Sequence, residues 1–260
     1  MEFYNDIEDG LLENGLLRSF DNLCSQKGDE TAIYISSTSE ISYLEIQFNS
    51  EAIAAQLFHR FGVSQTDRVA IACDGHAGAE ITACLSCTRI GATFVPFDLS
   101  WHHSGNRLRD IFQDAHPIAA IVVARNDQDE KVKAFAKVGL HRCILINEDG
   151  SLNLLEAADV NSGLPQVDGN IFSSRNKKDS GKTPPLYILY TSGSTGIPKG
   201  VCGTEDSLLN RVLWQWRRFP WQQGELVCRR CAIITVSTAH LFIMLHFTKV
   251  ALYCFNLFLT

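Results

Sequence analysis

The sequence predicts an α/β fold with a mainly parallel sheet flanked by helices. Three observations carry this. Short apolar runs rich in β-branched residues recur at 68–73, 93–96, 118–123 and 143–146. The stretches between them carry helical spacing, with Leu108, Ile111, Phe112 and Ala115 on one face of 106–115 and charged residues on the others. Strands that alternate with helices in this way build parallel sheets buried on both faces. A further apolar run, 186–190, leads directly into a Thr/Ser/Gly segment.

Taken in order, residues 41–46 (ISYLEI) open a helix, and 51–58 have apolar side chains three and four apart, as an amphipathic helix requires. Residues 68–73 form a buried strand. Residues 79–90, small and apolar without proline, form a buried helix. The strand 93–96, the helix 106–115, the strand 118–123, the helix 132–138 and the strand 143–146 continue the alternation. Residues 168–183 are polar, with Arg175, Lys177, Lys178 and Lys182, and end at Pro184 and Pro185, the composition of an exposed connector. Beyond residue 200, a strand gives way to a helix with Thr204 as N-cap and Asp206 in its first turn; Leu208, Leu209, Val212, Leu213 and Trp216 line its apolar face. Helix packing is the simplest account of Trp214, Trp216 and Trp221.

Residues 191–196 are all Thr, Ser or Gly and lead to Ile197, Pro198, Lys199 and Gly200. This composition suits a phosphate cradle. Glycines 193, 196 and 200 allow the backbone to approach an anion closely, the hydroxyls of Thr191, Ser192, Ser194 and Thr195 add donors, and Lys199 supplies a point charge. The common NTPase loop places Gly-Lys-Ser/Thr in sequence. Here Ile197 and Pro198 separate Gly196 from Lys199, so a helix opening at the lysine is not implied. A flexible linker can share the composition but needs neither the strand entry nor the Ile-Pro-Lys exit. The candidate phosphate contacts are Thr191, Ser192, Gly193, Ser194, Thr195, Gly196 and Lys199. No catalytic or metal-ligating residue is assigned.

The run 186–201, LYILYTSGSTGIPKGV, resembles the phosphate-loop signature of the class I adenylate-forming superfamily, the AMP-binding, acyl-activating enzymes. Two earlier motifs stand in the family's order. Ile41-Ser42-Tyr43-Leu44-Glu45-Ile46 is similar to its first core motif, and Arg89-Ile90-Gly91-Ala92-Thr93-Phe94-Val95-Pro96-Phe97-Asp98 to its second. The resemblance implies the N-terminal half of the family's large domain, incomplete, with Tyr43, Glu45, Gly91, Pro96 and Asp98 in structural roles. It also implies ATP with Mg2+ and a carboxylic or amino acid as reactants, and transfer of the acyl-adenylate to a thiol of coenzyme A or a carrier protein. Gly-Ser-Thr-Gly-x-Pro-Lys with Val-Pro-x-Asp is somewhat closer to the style of amino-acid-adenylating members, β-alanine-activating ones among them.

Two departures accompany it. Glu205 stands where family members often carry a histidine just before the helix, and beyond Arg230 the later motifs for adenine, ribose and the C-terminal lysine are not found. The expected organisation is therefore a partial AMP-binding domain over 1–230, an exposed linker at 168–185 and a hydrophobic tail at 231–260 that does not match the family. The full reaction is not expected of such a chain, and the alternative is a non-catalytic nucleotide-binding or interaction protein. Residues 231–248 are uncharged and long enough to span a bilayer, so either a membrane segment or a non-family tail accounts for them.

The 260 residues, 45% hydrophobic, suffice for a sizeable core, and a net charge of −6 argues against a nucleic-acid surface. Nine cysteines, several inside apolar runs, read as reduced thiols in the cytoplasm. Cys84-x-x-Cys87 and Cys228-x-x-Cys231 have zinc-knuckle spacing, but the first pair lies in an apolar helical stretch, which favours core thiols. His102 and His103 read as loop residues. The N-terminus lacks the basic start and apolar core of a signal peptide.

Overall fold

The computed structural model describes residues 2–35, 39–73, 75–98, 105–124, 126–127, 129–153, 184–191 and 197–219. Six of its strands form one sheet in the order β6-β5-β3-β4-β7-β8: β3 (Arg68–Ala72), β4 (Thr93–Pro96), β5 (Ala119–Val123), β6 (Cys143–Ile146), β7 (Tyr187–Thr191) and β8 (Lys199–Gly203). The first five pair in parallel, and β8 joins β7 antiparallel. The helices are α1 (Glu2–Lys27), α2 (Tyr43–Phe61), α3 (Ala77–Arg89), α4 (Gly105–Ala115), α5 (Glu130–Lys137) and α6 (Glu205–Arg218). The predicted alternation from residue 68 to 146 and the mainly parallel sheet are thus present.

Burial of both sheet faces explains why the strands read as unbroken apolar runs. Val69, Ile71, Phe94, Ile121, Ile144 and Leu189 enter one core with α1, α2, α3 and α6. Their neighbours Ala70, Val95, Val122, Leu145, Ile188 and Tyr190 enter a second core with Ile111 and Ala115 of α4 and Phe135 of α5. Leu108 and Phe112 pack against that second core, as the spacing within 106–115 predicted.

The first motif proves to be a helix start. Ser42 precedes α2, its Oγ accepts the Glu45 N–H at 3.2 Å, and Glu45 Oε2 accepts the Ser42 N–H at 2.7 Å. This reciprocal capping box satisfies donors that the first turn leaves open. Tyr43, the next residue, is fully buried. The second motif begins with a clip. The Arg89 side chain is 4% exposed, and its guanidinium binds Asp21 on α1 through two bonds of 2.6 and 3.1 Å. Its Nε donates to Ser50 Oγ at 2.9 Å, and Glu51 lies 3.5 Å away, so the clip joins α3 to α1 and α2. Farther along, Thr93 Oγ1 donates to the Pro185 carbonyl at 2.6 Å, and the Phe94 N–H donates to the Leu186 carbonyl at 3.1 Å. Together these bonds fix where β7 enters the sheet.

Two features had no counterpart in the sequence reading. Residues 2–27 form α1, with a break at Gly15 (φ 73°) that a residue with a Cβ adopts only at a cost. Residues 31–34 and 40–42 form β1 (Thr31–Tyr34) and β2 (Glu40–Ser42), a separate antiparallel pair. Cys84 and Cys87 are fully buried in α3, and no group of three or more candidate metal ligands occurs among the described residues. Burial pushes the Cys24 thiol up to about 12, aided by the nearby Asp21 carboxylate, which keeps it unreactive near neutral pH. No helix among the described residues is long and apolar enough to cross a membrane. The connector 168–183, His102, His103, Cys228, Cys231 and the segment 231–260 lie outside those residues, as do the side chain of Trp216 and all of Trp221.

Candidate functional site

The β7–β8 pair carries the segment singled out by sequence. Its register runs Tyr187↔Gly203, Ile188↔Cys202, Leu189↔Val201, Tyr190↔Gly200 and Thr191↔Lys199. Thr191 and Lys199, the first and last of the seven candidate contacts, are therefore direct cross-strand partners at the mouth of a hairpin. Both are exposed, and the Thr191 hydroxyl reaches the Lys199 carbonyl at 3.4 Å. Ser192, Gly193, Ser194, Thr195 and Gly196 lie outside the described residues. A hairpin joins the two sides where an NTPase loop would run from strand to helix, in keeping with the separation of Gly196 from Lys199.

Gly200 has a role that the phosphate reading did not give it. A Cβ there would sit 2.9 Å from Ile188 Cγ2 and 3.1 Å from Tyr190 Cζ, so the missing side chain makes room for the Tyr190 ring. At Gly203 the Tyr187 ring takes the corresponding space. Tyr190 is 9% exposed and its hydroxyl donates to Asp114 Oδ2 on α4 at 2.5 Å. Burial, and then the bond to that carboxylate, hold the phenol above its ordinary value, so it remains a protonated donor at neutral pH. In the sequence Asp114 is simply one of the charged residues of 106–115. The contact spans 76 positions, and no local pattern announces it.

After β8, Thr204 and Ser207 cap α6 reciprocally, and Leu208, Leu209, Val212 and Leu213 are buried as predicted. Trp214 is 58% exposed, so packing among the described residues does not account for it. Glu205, the departure from the family pattern, accepts the Leu16 N–H at 2.8 Å, just past the Gly15 break in α1. The carboxylate that replaces the expected histidine thus ties the N-terminal helix to the start of α6.

A cavity of about 460 Å³ opens elsewhere, at the ends of β5 and β6, lined by His76, Asn147 and Glu148 among others. Its carboxylates serve local structure: Asp129 accepts the Lys131 N–H, Asp149 accepts from Ser151, and Glu148 lies 3.6 Å from His76.

A mainly parallel α/β sheet ending in a hairpin that bears this Thr/Ser/Gly/Lys loop defines the class of adenylate-forming enzymes. The chain belongs to the AMP-binding enzyme family, whose model matches residues 20–255 and so reaches past Arg230. It is 28% identical to the beta-alanyl-bioamine nonribosomal peptide synthetase ebony of Drosophila melanogaster over 63% of this chain and 16% of that protein. It is 30% identical to the cyclo-acetoacetyl-L-tryptophan synthase of Aspergillus oryzae over 74% of this chain and 4% of that one. The chain thus spans about a sixth or less of these two relatives. Among solved structures, VinN with 3-methylaspartate superposes with a TM-score of 0.68 at 17% identity, covering 92% of this chain and 60% of that one. ATP-bound MatB from Rhodopseudomonas palustris gives 0.66 at 21%, covering 91% and 45%.

Proposed function

We propose that residues 191–199 hold the phosphates of ATP within an adenylate-forming ligase that activates a carboxylic acid, in the amino-acid-adenylating style. The observation that carries this reading is the pairing of Thr191 with Lys199 at the mouth of the hairpin in a chain of this family. Thr191, Ser192, Gly193, Ser194, Thr195 and Gly196 supply backbone and hydroxyl donors, and the ammonium of Lys199 offsets phosphate charge. ATP enters as its magnesium complex. In the whole ligase a carboxylate oxygen attacks the α-phosphorus, pyrophosphate leaves, and the acyl-adenylate passes its acyl group to a thiol of coenzyme A or a carrier protein with release of AMP.

Within this organisation residues 1–230 carry the adenylation portion with an exposed linker at 168–185, the family match continues through most of the apolar segment 231–260, and the protein is cytoplasmic. The similarity of the chain to a nonribosomal peptide synthetase and to the L-proline--[L-prolyl-carrier protein] ligase of Pseudomonas fluorescens, 27% identical over 71% of this chain, supports an amino acid as the acid and a carrier as the acceptor.

The direct test is ATP–pyrophosphate exchange by residues 1–260 across a panel of amino and fatty acids, after a cooperative melt establishes folding. Acid-dependent exchange supports adenylation by this chain; its absence from a folded protein limits the chain to nucleotide binding. Lys199→Ala is expected to weaken ATP binding about tenfold, the scale of one charge-assisted hydrogen bond, with an unchanged melt because the side chain is exposed. Equal affinities in calorimetric titrations of mutant and parent would refute the assignment.

A further inference from the structure

We infer that Tyr190, held by Asp114, is a positioning residue that fixes the mouth of the phosphate-binding hairpin. The inference rests on the reading of 191–199 as phosphate contacts and concerns how their two ends are held.

Tyr190 and Gly200 are cross-strand partners one rung inside the Thr191–Lys199 pair. Tyr190 adjoins the first phosphate residue in the chain, and its ring lies over the glycine that follows the last one. One side chain therefore rises from one side of the hairpin mouth and fills the space that a side chain at Gly200 on the other would take. Among the described residues β8 is the edge strand, paired only with β7, so the sheet restrains its other side with no further ladder. The face supplies restraint. The Tyr190 ring sits in the second core, and its hydroxyl is anchored at 2.5 Å to Asp114 near the end of α4. Arg68 holds that end of α4 in turn, its Nη1 donating to the Ala115 carbonyl at 2.7 Å and to the Asp114 carbonyl at 3.4 Å. A chain of contacts thus runs from β3 through α4 and Tyr190 to the hairpin.

Anchorage matters because a loop that must order on binding loses affinity to the cost of ordering, whereas a preorganised one does not. Lys199 reaches its ligand on a long flexible stem, so the backbone beneath it sets how often the ammonium finds the phosphates.

The test measures MgATP affinity of residues 1–260 by calorimetric titration, together with amide hydrogen exchange in β7 and β8. Tyr190→Phe keeps the ring and removes the anchor; it is expected to weaken ATP about tenfold and to speed exchange across the 187–191 and 199–203 ladder. Asp114→Ala should do the same. Asp114→Asn retains a carbonyl acceptor and should restore most of the affinity. The double variant Tyr190→Phe/Asp114→Ala should bind no more weakly than either single one, because both remove the same contact. Val212→Ala, which trims the first core in α6, serves as a control for loss of stability alone.

Four results decide the matter. Weakened binding by Tyr190→Phe and Asp114→Ala, with rescue by Asp114→Asn, establishes the role. Equal weakening by Val212→Ala at a matched melt would reduce it to general stability and overturn it. If Lys199→Ala weakens ATP while Tyr190→Phe and Asp114→Ala bind as the parent does, the positioning role fails and the phosphate reading stands. If Lys199→Ala also leaves affinity unchanged, the phosphate reading falls and the positioning role with it.

Discussion

Phe20→Ala is expected to lower the unfolding free energy by about 3–5 kcal/mol, the range for an aromatic ring removed from a closed core. Phe20 is 1% exposed and lies on α1 between Leu16 and Cys24, all three buried at four-residue spacing in the core shared with α2 and α3. Its truncation leaves a hole in that core, which close packing allows to relax only in part. Urea denaturation of residues 1–260 measures the loss directly. A loss under about 1 kcal/mol would mean that α1 does not pack on the domain in solution, since surface substitutions fall near that size.

Arg89→Met is expected to cost about 2–3 kcal/mol. Removal of one partner from a buried ion pair leaves the other uncompensated, which costs about 3–5 kcal/mol when both are inaccessible. Here Arg89 is 4% exposed, but the Asp21 and Glu51 side chains keep 32% and 44% of their surfaces and regain water once the guanidinium is gone. The loss is therefore placed below the full figure, and methionine retains much of the packing of the stem. Thermal melts of the two proteins decide it; equal midpoints would show that the clip contributes nothing net.

The same cluster carries a pH dependence. Burial holds the Glu51 carboxyl above its ordinary value, against the opposing pull of Arg89. A carboxyl that binds its proton more tightly in the folded state contributes stability below its unfolded pKa and loses it as pH rises through the folded pKa. Glu51→Gln should therefore leave neutral-pH stability unchanged or slightly raised and flatten the decline in stability as the carboxyl ionises. A neutral-pH loss as large as that of Arg89→Met would contradict this.

How far each feature was legible follows from how local its cause is. The strand and helix alternation from 68 to 146 was readable because both faces of each strand are buried, which leaves an unbroken apolar run in the sequence. The start of α2 was readable because Ser42 and Glu45 cap it within four residues. The helix α1 was not, because a glycine with a positive φ interrupts it and, among the described side chains, only Leu16, Phe20 and Cys24 form its buried stripe. The short pair β1–β2 gave no sign either: its strands have only four and three residues, too few to establish a period.

The candidate site divides in the same way. The Thr/Ser/Gly/Lys composition of 191–199 names a phosphate chemistry by residue type alone, since backbone access, hydroxyl donors and a cation lie together in the chain. Its geometry comes from elsewhere: the antiparallel pairing of β7 with β8, the ring of Tyr190 over Gly200, the Asp114 anchor and the Glu205 tie to α1. The sequence by itself determined the family, the parallel sheet and the residues that could meet a phosphate, because each rests on neighbours in the chain. The tertiary structure alone decided which distant groups hold those residues in place, because contacts such as Tyr190 to Asp114 and Glu205 to Leu16 join positions 76 and 189 apart and leave no periodic trace in either segment.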